Sequence, residues 1–122
     1  MVAPPQVSAP PPRVYRTLRH TVVELRGEID IAVLPQSLPV VDEVTSPQAA
    51  QVVIDLTPVT FLDCSGLRLL NRARLRLAAR GGSLTVVCPH PFTLRVIALS
   101  GLGRTLHVVR GLREAIDLDQ CA

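Results

Sequence analysis

A chain of 122 residues with 48% apolar side chains has room for one domain with its own core. Only 2% of the residues are aromatic, so that core must be built from Val, Leu, Ile and Ala, and a surface of stacked rings for single-stranded nucleic acid is not expected. The net charge is +3 and every basic residue is an arginine, an excess too small to imply a nucleic-acid partner.

Residues 1–13 hold five prolines among small residues. Proline lacks the N–H that a helix or a ladder uses, so a disordered or polyproline arm is expected there. The arm has no apolar core of the kind a secretory signal needs, and no run approaches the roughly 18 apolar residues that cross a bilayer. Cys64, Cys88 and Cys121 form no C-x-x-C pair, which fits a reducing, cytoplasmic setting.

Residues 14–18 and 21–26 read as two strands joined tightly at Arg19-His20, and residues 27–30 as a turn. Ser37 is the expected N-cap of a short helix reaching about Val44, with Pro39 in the first turn where a missing N–H costs little. A helix beginning before Pro35 would instead be kinked at Pro39. The β-branched run 52–56 reads as a buried strand, residues 57–63 as a loop, and residues 65–80 as a long helix closed by Gly81-Gly82. A strand over 83–88 and a helix over 92–99, stopped at Ser100-Gly101, come next. A strand over 106–109 and a helix over 112–118 complete the domain at 14–118 and leave 119–122 as a tail. The order ββαβαβαβα predicts an α/β domain, a mixed β-sheet with helices packed on it.

The segment 61–67 brings Asp63, Ser65 and Gly66 to the start of the long helix. Backbone N–H groups at a helix N-terminus stabilise an added anion, so the position suits a serine that another protein phosphorylates better than a serine nucleophile. Gly66 would let a partner backbone approach the hydroxyl, or would be a simple helix-cap glycine. Asp63 either orients the hydroxyl and meets a partner or satisfies backbone N–H groups in the turn. Arg68, Arg72, Arg76 and Arg80 recur every four residues with no acid on the helix. Such a stripe reads first as a solvated face and second as a surface for an acidic partner. Cys64 reads as a packing residue, since no histidine lies near it in sequence. His20, His90 and His107 are too scattered for a metal site, and no cofactor is expected. Neither a phosphate-cradling glycine loop nor Gly-x-Ser-x-Gly is present, so an enzyme is not expected.

Five segments in order, 25–30 (Leu-Arg-Gly-Glu-Ile-Asp), 53–56, 61–67, 81–84 and 100–102, resemble the signature of STAS domains, and more narrowly of bacterial anti-sigma factor antagonists. The resemblance implies a partner-switching module that binds an anti-sigma factor with serine kinase activity and so frees a sigma factor, reset by a serine phosphatase. It carries the phosphorylation site to Ser65. Cys64 stands where many relatives have Ser or Thr, leaving one hydroxyl in the element. It also implies that Asp30 lies beside Ser65, and that Asp30, Asp63, Cys64, Gly66, Leu67, Arg68, Ser100 and Gly101 frame the partner surface. A rival reading is a STAS scaffold in a signalling or lipid-transport assembly whose serine is never modified. Neither reading involves direct contact with nucleic acid or a membrane.

Phosphorylation would add roughly −1.5 to −2 charges. The peptide dipoles at the helix N-terminus stabilise that charge by about 0.3–1 kcal/mol. Repulsion from Asp63 costs on the order of 1 kcal/mol per unit charge in high dielectric. The modification is therefore expected to leave the fold intact and to act at an interface.

Overall fold

The computed structural model describes residues 10–120, with side-chain surroundings through residue 116. The proline-rich arm expected over residues 1–13 therefore lies largely outside the described residues. Strands β1 (Arg13–Arg16) and β2 (Thr21–Glu24) form the expected hairpin, closed by the Thr17 N–H donating to the His20 carbonyl at 2.9 Å. With β4 (Gln51–Asp55), β6 (Ser83–Val87) and β7 (His107–Val109) they make one five-stranded sheet in the order β1-β2-β4-β6-β7. Only the β1–β2 pair is antiparallel.

The apolar runs in these strands are continuous because both faces of the sheet are covered. Val23, Val52, Ile54 and Val86 face one cluster, while Val22, Val53, Val87 and Val109 face the other. The first cluster takes in α1 (Leu34–Val44), α2 (Cys64–Ala79) and α3 (Pro91–Leu99). The second is closed by α4 (Leu112–Gln120) through Leu112 and Ala115. Helix α4 thus runs into the segment expected to be a tail.

Three expectations are corrected. The turn over 27–30 and the loop over 57–63 each contain a strand, β3 (Gly27–Ile29) and β5 (Val59–Leu62), which pair in parallel as a second small sheet. Each is only three or four residues long, and its partner lies some thirty residues away, so neither shows in a local pattern. Second, α1 starts at Leu34 rather than at Ser37. A 3₁₀ turn (Ile31–Val33) launched by Asp30 leads directly into it, with Pro35 in its first turn. Third, Ser37 is no cap but a buried residue inside that helix, and Pro39 sits in the helix interior, where it removes one backbone bond.

The end of α2 is as expected. Gly81 takes φ +70°, its N–H reaches the Ala78 carbonyl at 3.4 Å, and the Gly82 N–H reaches the Leu77 carbonyl at 2.8 Å. That double closure needs a left-handed residue, which glycine supplies without strain.

Candidate functional site

The route from β4 into β5 is set by Asp55. Its buried carboxylate accepts the Thr57 N–H at 2.9 Å and the Thr57 hydroxyl at 2.6 Å, turning the chain. His90 Nε2 lies 2.7 Å from the Thr57 carbonyl and holds the same turn from the α3 side. The Gly27 N–H then donates to the Pro58 carbonyl at 3.0 Å, which starts the β3–β5 pairing.

Two adjacent parallel strands now end alike. Ile29 and Leu62 are register partners, and each is followed by an aspartate that caps a helical turn. Asp30 accepts the Ala32 N–H at 3.0 Å. Asp63 accepts the Ser65 N–H at 2.8 Å and the Gly66 N–H at 3.4 Å, and its own N–H donates to the Ile29 carbonyl at 3.2 Å. The cross-strand bond brings Asp30 and Asp63 side by side, although 33 positions separate them in sequence. Both carboxylates are engaged with backbone donors, so of the two roles open for Asp63 the geometry supports the backbone one.

Ser65 occupies the first turn of α2 and is half-buried. Its backbone N–H is taken by Asp63, and among the described residues no group hydrogen-bonds to its hydroxyl. Cys64, the first residue of the helix, is exposed rather than packed. Cys88, just after β6, is the buried thiol, and burial pushes its pKa up. No imidazole among the described residues hydrogen-bonds to Ser65 or Cys64. Nor does any group of three His, Cys, Asp or Glu there have the closeness to hold a metal.

Gly66 is corrected in its role. It is buried, and a Cβ at that position would stand 2.5 Å from Leu62 Cδ1, 2.6 Å from Leu62 Cγ and 3.2 Å from Ile29 Cγ2. Its missing side chain lets α2 sit on the ends of β3 and β5, and does not open room for a partner. Leu67 is half-buried against the core cluster, and Leu69 on the same helix is fully buried.

Ser100 and Gly101 are not brought to the site. Helix α3 starts where β6 ends and must return the chain to the start of the parallel strand β7, so its last residues lie at the opposite end of the parallel strands from the site. Gly101, at φ +87°, makes the turn there, and the Ser100 hydroxyl donates to the Ile97 carbonyl at 2.6 Å.

The arginine stripe is divided. Arg72 grips Asp42 of α1 through two bonds, Nε to Oδ1 at 2.7 Å and an Nη to Oδ2 at 2.9 Å. Arg76 donates to the buried Thr45 hydroxyl at 2.8 Å, the Asp42 carbonyl at 3.0 Å and the Ser46 hydroxyl at 3.1 Å. The expected solvated face is thus a tie between two helices over half its length. Arg68, nearest Ser65, is exposed and has no partner among the described residues.

Sequence reasoning overlooked the apolar residues at this edge. Ile31 follows the Asp30 cap and is 74% exposed, Phe61 on β5 is 48% exposed, and Phe92 at the start of α3 is 70% exposed. Phe92 lines an open cleft of about 440 Å³ with Pro58, Thr60 and His90. The visible signal was that Phe61 and Phe92 are two of only three rings in the chain.

A small α/β domain whose paired strand ends present a free serine hydroxyl, framed by two capping aspartates, has the form of a protein-interaction module. The description STAS domain matches residues 11–115, and the chain belongs to that family. It is 30% identical over 95 residues, 78% of this chain and 77% of the relative, to the anti-sigma-F factor antagonist RsfB of Mycobacterium tuberculosis. The fold superposes with a TM-score of 0.79 on the crystal structure of an anti-sigma factor antagonist from Mycobacterium paratuberculosis, at 32% identity over 88% of this chain and 91% of that one. It superposes at 0.67 on the phosphorylated form of the Bacillus cell fate determinant SpoIIAA, at 25% identity over 87% and 96% of the two chains.

Proposed function

We propose that the chain is an anti-sigma factor antagonist of the cytoplasm. In this reading it binds an anti-sigma factor through the surface around Ser65, and a sigma factor is freed as a consequence. The anti-sigma factor carries serine kinase activity. The γ-phosphoryl group of ATP passes to Ser65 Oγ, the hydroxyl proton is lost, ADP leaves, and binding ends. A serine phosphatase hydrolyses the ester and restores the binding form.

The observation that carries this reading is the state of Ser65: in the first turn of a helix, half-exposed, its N–H satisfied and its hydroxyl free. A dianion there meets outward-facing peptide dipoles and leaves the packing beneath untouched. Pressed against a partner without a counter-charge it costs several kcal/mol in desolvation. Ile31, Phe61 and Cys64, exposed beside it, supply the apolar contact that the unmodified form would bury.

Incubation with ATP and a cognate anti-sigma factor kinase, read by intact mass, tests the proposal. The wild-type chain gains one phosphate and Ser65→Ala gains none; an unmodified wild-type chain overturns it in favour of a scaffold. Ser65→Ala should hold the partner constitutively. Ser65→Asp should bind at least about tenfold more weakly with an unchanged melting temperature.

A further inference from the structure

We propose that Arg68 receives the phosphate of Ser65 within the same chain, so that the modified state is a closed ion pair on the first turns of α2. The inference rests on the proposed modification of Ser65 and adds the group that holds the result.

Three observations carry it. Ser65 and Arg68 are three positions apart on one helix, a spacing at which side chains are neighbours. Cα–Cβ bonds in a helix tilt toward its N-terminus, and long side chains run back over the preceding turn, so the guanidinium of Arg68 sweeps the space above residues 64 and 65. An acid placed N-terminal to its base is also the favourable order for such a pair. Finally, among the five arginines of α2 and its C-cap, Arg68 is the one left unengaged, Arg74 being held by the Asn71 side chain at 2.9 Å. Arg72 is held by Asp42, Arg76 by Thr45, Ser46 and the Asp42 carbonyl, and Arg80 by the Arg76 carbonyl at 3.2 Å, while Arg68 is exposed without a partner among the described residues. A planar guanidinium presents paired N–H donors that match two phosphate oxygens.

The opposing charges are Asp63 and Asp30, which cap the two helical turns, and Glu28 on β3, opposite Phe61. All three push the second ionisation of the phosphate upward, and Arg68 is the cation near enough in sequence to pull it down. The pair turns the phosphate back along α2, so the dianion persists at neutral pH and stands where the partner would have to desolvate it.

The test uses the full chain made with phosphoserine placed at position 65 during translation, which removes any dependence on a kinase. Phosphorus NMR titration follows the phosphoserine in the otherwise wild-type chain, in Arg68→Ala and in Arg68→Lys. The expected result is an apparent pKa lower by a few tenths of a unit with Arg68 present, partly kept by lysine, and a difference that shrinks in about 1 M salt. Identical titrations in all three chains overturn the inference. So does a difference that salt leaves unchanged, since that marks a structural effect. Either outcome leaves the mass test of Ser65 modification standing by itself.

Discussion

The two halves of α2 carry the same side chains and put them to opposite uses. Toward the C-terminal end, Arg72 and Arg76 bind Asp42, Thr45 and Ser46 and fasten α2 to α1. Toward the N-terminal end, Arg68 and the Ser65 hydroxyl have no partner among the described residues. The buried side runs through both halves without a break, over Gly66, Leu69, Leu70, Ala73 and Leu77. One end is thus anchored on both faces and the other on its inner face alone. The proposed switch draws on that asymmetry: the inner face of the free end is packed, while the Ser65 hydroxyl and the Arg68 guanidinium are left unengaged among the described residues.

The sharpest way to break the contrast is to disturb the inner face at the free end. In Gly66→Ala the new methyl meets Leu62 and Ile29, at an overpacking cost of about 1–3 kcal/mol offset by at most about 1 kcal/mol of helix propensity. Thermal melting should show a net loss of about 1–2 kcal/mol, and an unchanged melt would mean that α2 rests loosely on β3 and β5. The next effect in size is the cap. Asp63→Ala removes the acceptor of the Ser65 and Gly66 N–H groups and should cost about 1 kcal/mol, while Asp63→Asn keeps most of it. Equal losses in the two variants would show that charge rather than capping is what Asp63 contributes.

Substitution of single arginines then separates the halves directly. Arg76→Ala takes one donor from the hydroxyl of fully buried Thr45, which keeps its own bond to the Val41 carbonyl at 2.7 Å, and should cost somewhat under about 1 kcal/mol. Arg68→Ala in the unmodified chain should melt with the wild type. Equal melts for both variants would erase the distinction on which the assignment of Arg68 depends.

How far the sequence could carry this picture follows from the range of the forces involved. The five-stranded sheet was legible because burial on both faces leaves β-branched runs at 52–54 and 85–87, and the glycine closure of α2 was legible because only a left-handed residue serves there. Ser65 at a helix start was legible for the same local reason. Pairings between distant short segments left no such trace. Neither Gly27–Ile29 nor Val59–Leu62 is long enough to announce itself, yet together they place Asp30 beside Asp63. Ser37 looked like a cap because Ser often is one, and the structure instead opens the helical run with a 3₁₀ turn capped by Asp30, five positions before Pro35. The stripe from Arg68 to Arg80 looked uniform because spacing gives a face and says nothing of what meets it. Asp42, on another helix, made the division.

That division has a signature in pH. The hydrogen bond from Arg72 holds the Asp42 carboxyl below its ordinary value of 3.8, and the charges of Arg72 and Arg76 add to the effect. A carboxyl depressed in the folded chain binds its proton more readily when unfolded. Its stabilising contribution is therefore complete above the ordinary value and is lost as the pH falls through the lower, folded one. Both side chains are substantially solvent-exposed, 47% for Arg72 and 31% for Asp42, so water screens the pair and the effect is small. Asp42→Asn should melt a few degrees below the wild type at pH 7, and the gap should close as both are acidified well below pH 3.8. Carboxylates elsewhere titrate equally in the two chains and cancel in the difference. A gap that stayed constant into acid would assign the tie between α1 and α2 to packing and to Arg76, leaving Arg72 as free as Arg68.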